Sequence, residues 1–200
     1  MAKKIMFNDK YCLTRAVLDG TKTMTRLIVP LSLLEKYDVW YEDFIYKPIG
    51  EEKYLSVDEY VLKRTHYKVG EVVAIAQSYH TLNKSGYTAP EWLDHVCESS
   101  AGYENKMFVR ADLMPHHIKI TDVKVERLQD ISDEDILKEG VWQFHYDNEL
   151  FYVSKNIGYA PEVAFLTAHE AFWYLIDKIS GKGTWESNPW VAAYSFELVD

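Results

Sequence analysis

The chain has 200 residues, of which 48% are apolar, and a formal net charge of −9. That length fits one domain with insertions, or at most two small ones, and the apolar fraction supplies a core that disordered chains lack. The acidic balance excludes a general, charge-driven nucleic-acid binder, which carries a basic face, but leaves room for a small basic pocket on an acidic body.

No window reaches the roughly 18 apolar residues of a membrane span, and the apolar part of Met1–Phe7 is too short for a secretory signal. A cytoplasmic protein is therefore expected. Cys12 and Cys97 are the only cysteines and lie far apart, which points to two reduced thiols and to neither a disulfide framework nor a metal site. The 15 tyrosines and 6 tryptophans are mostly packing residues, with some surface to stack on a base.

In chain order, Lys3–Phe7 reads as a short strand, and Asn8 or Asp9 caps a helix with Leu13, Ala16 and Val17 inward. Gly20 stops that helix. Met24–Val29 reads as a second strand ended by Pro30. Residues 30–67 form an insertion, with a helical turn or two at Leu31, Leu34 and Tyr37 and a capping box, Ser56-Val57-Asp58-Glu59, opening a helix through Leu62. Lys63, Arg64, His66 and Lys68 form the densest basic cluster, read as a helix end where cations suit the dipole. Val72–Ala76 is a buried strand. Residues 81–106 form a second, polar excursion with a helix from Pro90, followed by a strand over Met107–Arg110.

The alternation in Ile118–Glu126 changes phase at Thr121-Asp122, the mark of a bulged strand. Ser132 caps a helix with Ile136 and Leu137 inward and Gly140 as its stop. Trp142–Val153 reads as an aromatic hairpin turning at Asp147-Asn148. Thr167-Ala168-His169-Glu170 is a second capping box, followed by an apolar face of Ala171, Phe172, Leu175, Ile176 and Ile179, with Gly181 and Gly183 as stops. Trp190–Leu198 alternates as a final strand. These elements predict an α+β fold around a small, strongly bent sheet or barrel.

The densest concentration of reactive groups is Gly20-Thr21-Lys22-Thr23-Met24-Thr25-Arg26. Extended backbone puts Thr21, Thr23 and Thr25 on one face and Lys22, Met24 and Arg26 on the other, and a bend near Lys22 brings it towards Thr25. An amine beside a hydroxyl suits a base and nucleophile pair or an anion-binding loop, and the segment equally suits a solvated turn that opens a strand. His116-His117 offers no converging third ligand, so no metal and no cofactor are expected. His169 reads as a helix-surface residue.

Three blocks carry a resemblance. Leu18–Arg26 is followed by Lys68-Val69-Gly70-Glu71. Ile120–Ser132 continues to Glu139-Gly140-Val141. The third block is Trp185-Glu186-Ser187-Asn188-Pro189-Trp190-Val191. Together they resemble the ASCH-domain proteins of the PUA-like superfamily, above all the longer ones of phages and prophages. The resemblance implies a single domain over residues 1–200. It would be a small PUA-like β-barrel with flanking helices, insertions at about 30–67 and 81–106, and a cleft lined by the Gly-x-Lys-x-x-Thr segment. It also implies RNA or a modified nucleoside as the partner. Some small ASCH proteins are amidohydrolases that deacetylate acetylcytidine with a lysine, a threonine and a glutamate. The matching positions here are Lys22, Thr25 and Glu139.

On that resemblance Lys22 is the base, Thr25 the nucleophile and Glu139 the proton donor, with Thr23 and Arg26 binding the ligand. A lysine acts as a base only when its amine is partly neutral, a state that burial or a nearby cation favours. Arg26 is close enough in sequence to be that cation, or to contact phosphate. Glu139, at the negative end of a helix, suits a proton donor. Trp142 and Trp190 are candidate base platforms. The chain departs from the longer relatives where they carry an Arg-Glu pair, having Ala76-Gln77-Ser78 instead. A protein-interaction module is the remaining alternative.

Overall fold

The computed structural model describes residues 2–46, 54–87, 100–144, 147–153 and 163–199. Side chains at 144 and 147–149 fall outside that description, as does the expected helix from Pro90. Among the described residues, no helix is long and apolar enough to cross a membrane.

The fold is α+β. Five strands make the main mixed sheet: β1 (Lys4–Ile5), β2 (Met24–Ile28), β3 (Val72–Ile75), β4 (His117–Arg127) and β8 (Trp190–Leu198), in the order β1-β3-β4-β8-β2. A three-stranded sheet orders β5 (Val141–Phe144), β6 (Asp147–Val153) and β7 (Ala164–Phe165). The phase change expected in β4 is present as a register shift between Ile120 and Asp122 against β8. It keeps Ile118 and Ile120 on one side and Val123 on the other side of the bulge, all facing the core.

The described strands do not close into the expected barrel, because edge strands β1 and β2 do not pair. The chain curls far enough for Phe7, just past β1, to meet Phe196 of β8 at 5.7 Å and the Lys22 ammonium at 5.9 Å. Yet the Phe7 carbonyl accepts a hydrogen bond from Lys106 Nζ, so a side chain takes an acceptor that a closing strand would use. Lys22 and a cavity occupy the space between the two edges.

Helix α6 (Ala168–Ser180) closes the core. Thr167 caps it by accepting from the Glu170 amide, and Ala171, Phe172, Leu175 and Ile176 are buried at helical spacing. Its neighbours in the same core are Leu13 and Val17 of α1 (Leu13–Leu18), Ile136 of α5 (Asp133–Lys138), and Tyr194 and Phe196 of β8.

The insertion at 30–67 holds α2 (Leu31–Tyr46) and α3 (Val57–Lys63). Tyr37, Trp40 and Tyr60 pack there as an aromatic group with centroids 5.3 to 5.8 Å apart, and the Ser56/Glu59 capping box forms as expected. The basic cluster does close this helix: Lys68 Nζ donates to the Leu62 and Lys63 carbonyls, and Arg64 lies over the Tyr60 ring.

Three local expectations change. Met107–Arg110 is not a strand: residues Lys106–Phe108 form a 3-10 turn, because the Asn105 side chain caps the Met107 amide and Met107 and Phe108 find no apolar cover. Asp147 and Asn148 are not a turn but the start of β6, with Phe144 paired to Asp147. Tyr79–Lys84, which runs into the polar excursion expected from residue 81, is a helix (α4) capped by Ser78, and its Tyr79 and Leu82 build a small second core with Val109 and Met114.

Truncating Phe172 (2% exposed) to alanine should lower unfolding free energy in urea by about 3–5 kcal/mol. The same change at Trp173, one position away but 43% exposed, should cost less, because more of that ring already meets water in the folded state.

Candidate functional site

The loop between α1 and β2 places Lys22, β2 places Thr25 and Arg26, and the end of α5 places Glu139. All four line one cavity of about 190 Å³. Its opposite wall is apolar, made by Phe7, Leu13 and the α6 residues Phe172, Leu175, Ile176 and Ile179. The convergence depends on backbone ties: the Thr23 amide donates to the Lys138 carbonyl, and the Phe196 amide donates to the Thr23 carbonyl. These bonds lock the reactive loop between α5 and β8. Gly140 completes the fit. Its φ of +101° is strained for other residues, and an added Cβ would stand 3.0 Å from Leu13 and 3.7 Å from the Lys22 stem.

Lys22 is 2% exposed. Its ammonium donates to the Met24 carbonyl at 2.7 Å, the Glu139 carbonyl at 2.8 Å and Glu139 Oε2 at 2.7 Å. Burial pushes its pKa below the usual lysine range, with the nearby Arg26 charge adding to that, while Glu139 opposes both. Glu139 gives its other oxygen to Arg26 Nη1 at 2.8 Å. Each carboxylate oxygen therefore accepts from a cation.

Arg26 is buried and turned inward. Its Nε and Nη2 donate to Glu126 Oε1 at 3.1 and 2.6 Å, Nη2 also reaches Asp135 at 3.4 Å, and Nη1 reaches Met24 Sδ at 3.2 Å. The sheet register explains the reach. Arg26 of β2 and Lys124 of β4 oppose the same residue of β8, Ala193. Its small side chain leaves room for the guanidinium to cross β8 towards Glu126, two residues further along the same face. Lys124 and Lys138 finish the network from the surface, binding Asp135 at 2.7 and 3.1 Å. Burial alone would raise the Asp135 carboxyl, but hydrogen bonds from these two lysines hold it below the usual range.

The sequence-level candidates separate into two groups. Lys22, Thr25, Arg26 and Glu139 share the cavity, whereas Thr23 does not line it and serves through its backbone. Lys22 makes no hydrogen bond to Thr25, because strand alternation sends Thr25 to the face of Tyr194 and Val123, opposite Arg26. Neither candidate platform lines the cavity: Trp190 lies under the Arg127 guanidinium at 4.5 Å, and Trp142 borders a separate apolar cavity. The cavity's aromatic rings are Phe7 and Phe172. Glu126, Asp135 and Lys124 were missed because, on alternation alone, they belong to a polar strand face and a helix start. No protein-family model, curated protein or solved structure matches this chain.

Two outcomes test this network. Arg26→Ala removes the buried cation shared by Glu126, Asp135 and Glu139, leaving Glu139 with Lys22 alone, and should cost about 3–5 kcal/mol in a urea titration. For Asp135, the folded state binds fewer protons than the unfolded state between its lowered pKa and the ordinary value of about 3.9, so stability rises with pH there. That contribution is complete above about pH 4 and is lost as pH falls through the folded value. Asp135→Asn should reduce the slope of stability against pH below about pH 4. It should not abolish the slope, since Glu71 is also held low, by Lys3 and the Lys68 amide against a burial that would raise it.

Proposed function

We propose that this chain is a PUA-like ASCH protein that binds a modified nucleoside, free or exposed in RNA, in the Lys22–Thr25–Arg26–Glu139 cavity. One observation carries the reading: four residues picked out by the Gly-x-Lys-x-x-Thr and Glu-Gly blocks line a single cavity with a mixed wall. One side offers hydrogen-bonding groups and the other offers the apolar and aromatic surface that a base needs. At about 190 Å³, the cavity falls below the roughly 300–1,000 Å³ of drug-sized ligand sites. It therefore suits the base of a nucleoside more than a length of polymer. The net charge of −9 supports the same preference, since polyanion binding draws on a basic surface.

A second reading, hydrolysis of an amide on that base, is favoured by the presence of Lys22, Thr25 and Glu139 in the same cavity. In it, neutral Lys22 takes the Thr25 hydroxyl proton as Thr25 Oγ1 attacks the acetyl carbon. The Lys22 ammonium then returns that proton to the leaving nitrogen as the C–N bond breaks, and neutral Lys22 takes a proton from the water that hydrolyses the threonine ester to acetate and restores the hydroxyl. Burial of Lys22 favours the neutral amine this step requires. The three acceptors around the ammonium mean that ligand binding must first displace at least one of them.

Titration with labelled single-stranded RNA and with free nucleosides, at two salt concentrations, tests the reading. Saturable nucleoside binding that does not change with salt is expected. RNA binding with a steep salt slope, and none for nucleosides, would replace it with a polymer-binding module. No binding to either would leave a protein-interaction role. For the second reading, the protein should release acetate from acetylcytidine without added metal. Lys22→Ala and Thr25→Ala should each lose most of that activity, with non-additive losses. Binding without any product over hours would remove the hydrolase and keep the binder.

A further inference from the structure

The cavity contains two cations but offers neither to a ligand. Lys22 has three N–H donors and Arg26 five. Those of Lys22 go to the Met24 carbonyl, the Glu139 carbonyl and Glu139 Oε2. Those of Arg26 go to Glu126 twice, Asp135, Glu139 and Met24 Sδ. Apart from Glu139, which pairs with both cations, the other polar residues along the cavity, Asn8, Thr25 and Ser180, are neutral, and the rest of its lining is apolar. An anion entering this space would lose its hydration and gain no free charged donor in return, a balance that is strongly unfavourable. Carboxylates beside the Arg26 guanidinium would also repel it.

We infer that this cavity selects an uncharged ligand head and rejects anions, and that Glu126 and Asp135 set this selectivity by occupying Arg26. The inference rests on the nucleoside reading for the identity of the ligand and on the ion network alone for the rejection of anions. It stands against the alternative in which Arg26 contacts phosphate. The acceptable ligand is a neutral base, carrying an amide or an unmodified amine, with its sugar and any phosphate outside the cavity. In the hydrolytic reading, neutral amide enters and acetate forms as an anion, which finds no cation to hold it and leaves.

Glu126 and Asp135 are specificity-determining by position: they touch Arg26, not the ligand. Their side chains differ in grip. Glu126 holds Arg26 at 2.6 Å and Asp135 at 3.4 Å, so removing the Glu126 charge frees more of the guanidinium.

The test titrates inorganic phosphate, acetate, cytidine and acetylcytidine into the full chain at constant ionic strength. Calorimetry supplies the affinity, and the Gly140 amide resonance reports occupancy of the cavity. Wild-type protein should show saturable shifts with the neutral ligands and none with phosphate or acetate. Glu126→Gln should gain phosphate binding by roughly tenfold or more, the scale of a charge-assisted hydrogen bond newly offered. Asp135→Asn should gain less, and it serves as the test if Glu126→Gln fails to fold. Saturable phosphate binding to wild type that Arg26→Lys weakens would overturn the inference. So would folded Glu126→Gln and Asp135→Asn proteins that still reject phosphate. A variant that gains phosphate while no nucleoside binds any form of the protein would sink the nucleoside reading and leave the rejection of anions standing.

Discussion

The contact between Glu139 and its two cations, Lys22 and Arg26, is the interaction on which the site depends. It joins the end of α5 to the loop before β2 and to β2 itself, across more than a hundred residues of chain. A buried ion cluster of this kind adds little net stability, since the cost of removing charges from water offsets most of their attraction. What it supplies is geometry. With each oxygen of Glu139 assigned to a different cation, the positions of all three side chains are fixed together, and losing Glu139 leaves the Lys22 ammonium buried without a carboxylate partner.

The surrounding structure serves that arrangement. A buried guanidinium needs carboxylates on several sides, and the order β4-β8-β2 brings Glu126 within reach only because Ala193 stands between them. Gly140 lets the α5 turn lie against the Lys22 stem. Lys106, by donating to the Phe7 carbonyl, holds the end of β1 in place without strand pairing to β2. The gap this leaves between the sheet edges is the cavity, and α6 closes it with apolar side chains. An open sheet is thus part of how the site exists, since a fully closed barrel would place main-chain hydrogen bonds where Lys22 now lies.

The polarity of the cavity has an uneven character. It is lined by charges, yet those charges satisfy one another, so a ligand meets hydrogen-bonding edges and apolar faces in place of a net field. This separates it from the anion sites made by glycine-rich loops and helix N-termini, where backbone donors stand unpaired towards the ligand. The same internal pairing accounts for the fate of Lys22. Burial, joined by the Arg26 charge, weakens its hold on a proton, and Glu139 opposes both without reversing them.

Much of this protein was legible along the chain. The family resemblance singled out Glu139 and joined it to Lys22, Thr25 and Arg26, while local rules located α3, α5 and α6 through their caps and apolar spacing, α1 through its apolar spacing with Asn8 capping the preceding 3-10 turn instead, and the bulge in β4 from the phase change at Thr121-Asp122. These depend on neighbours a few residues away, so periodicity and capping carry them. Sequence could not show that Arg26 is spent on Glu126 and Asp135, that Thr25 faces away from it, that Phe7 and Phe172 and not the tryptophans line the cavity, or that the sheet stays open. Each of those follows from which strands lie side by side and in which register. Register is set by the packing of distant segments, so a glutamate on an alternating strand has the same local pattern whether it meets water or a guanidinium.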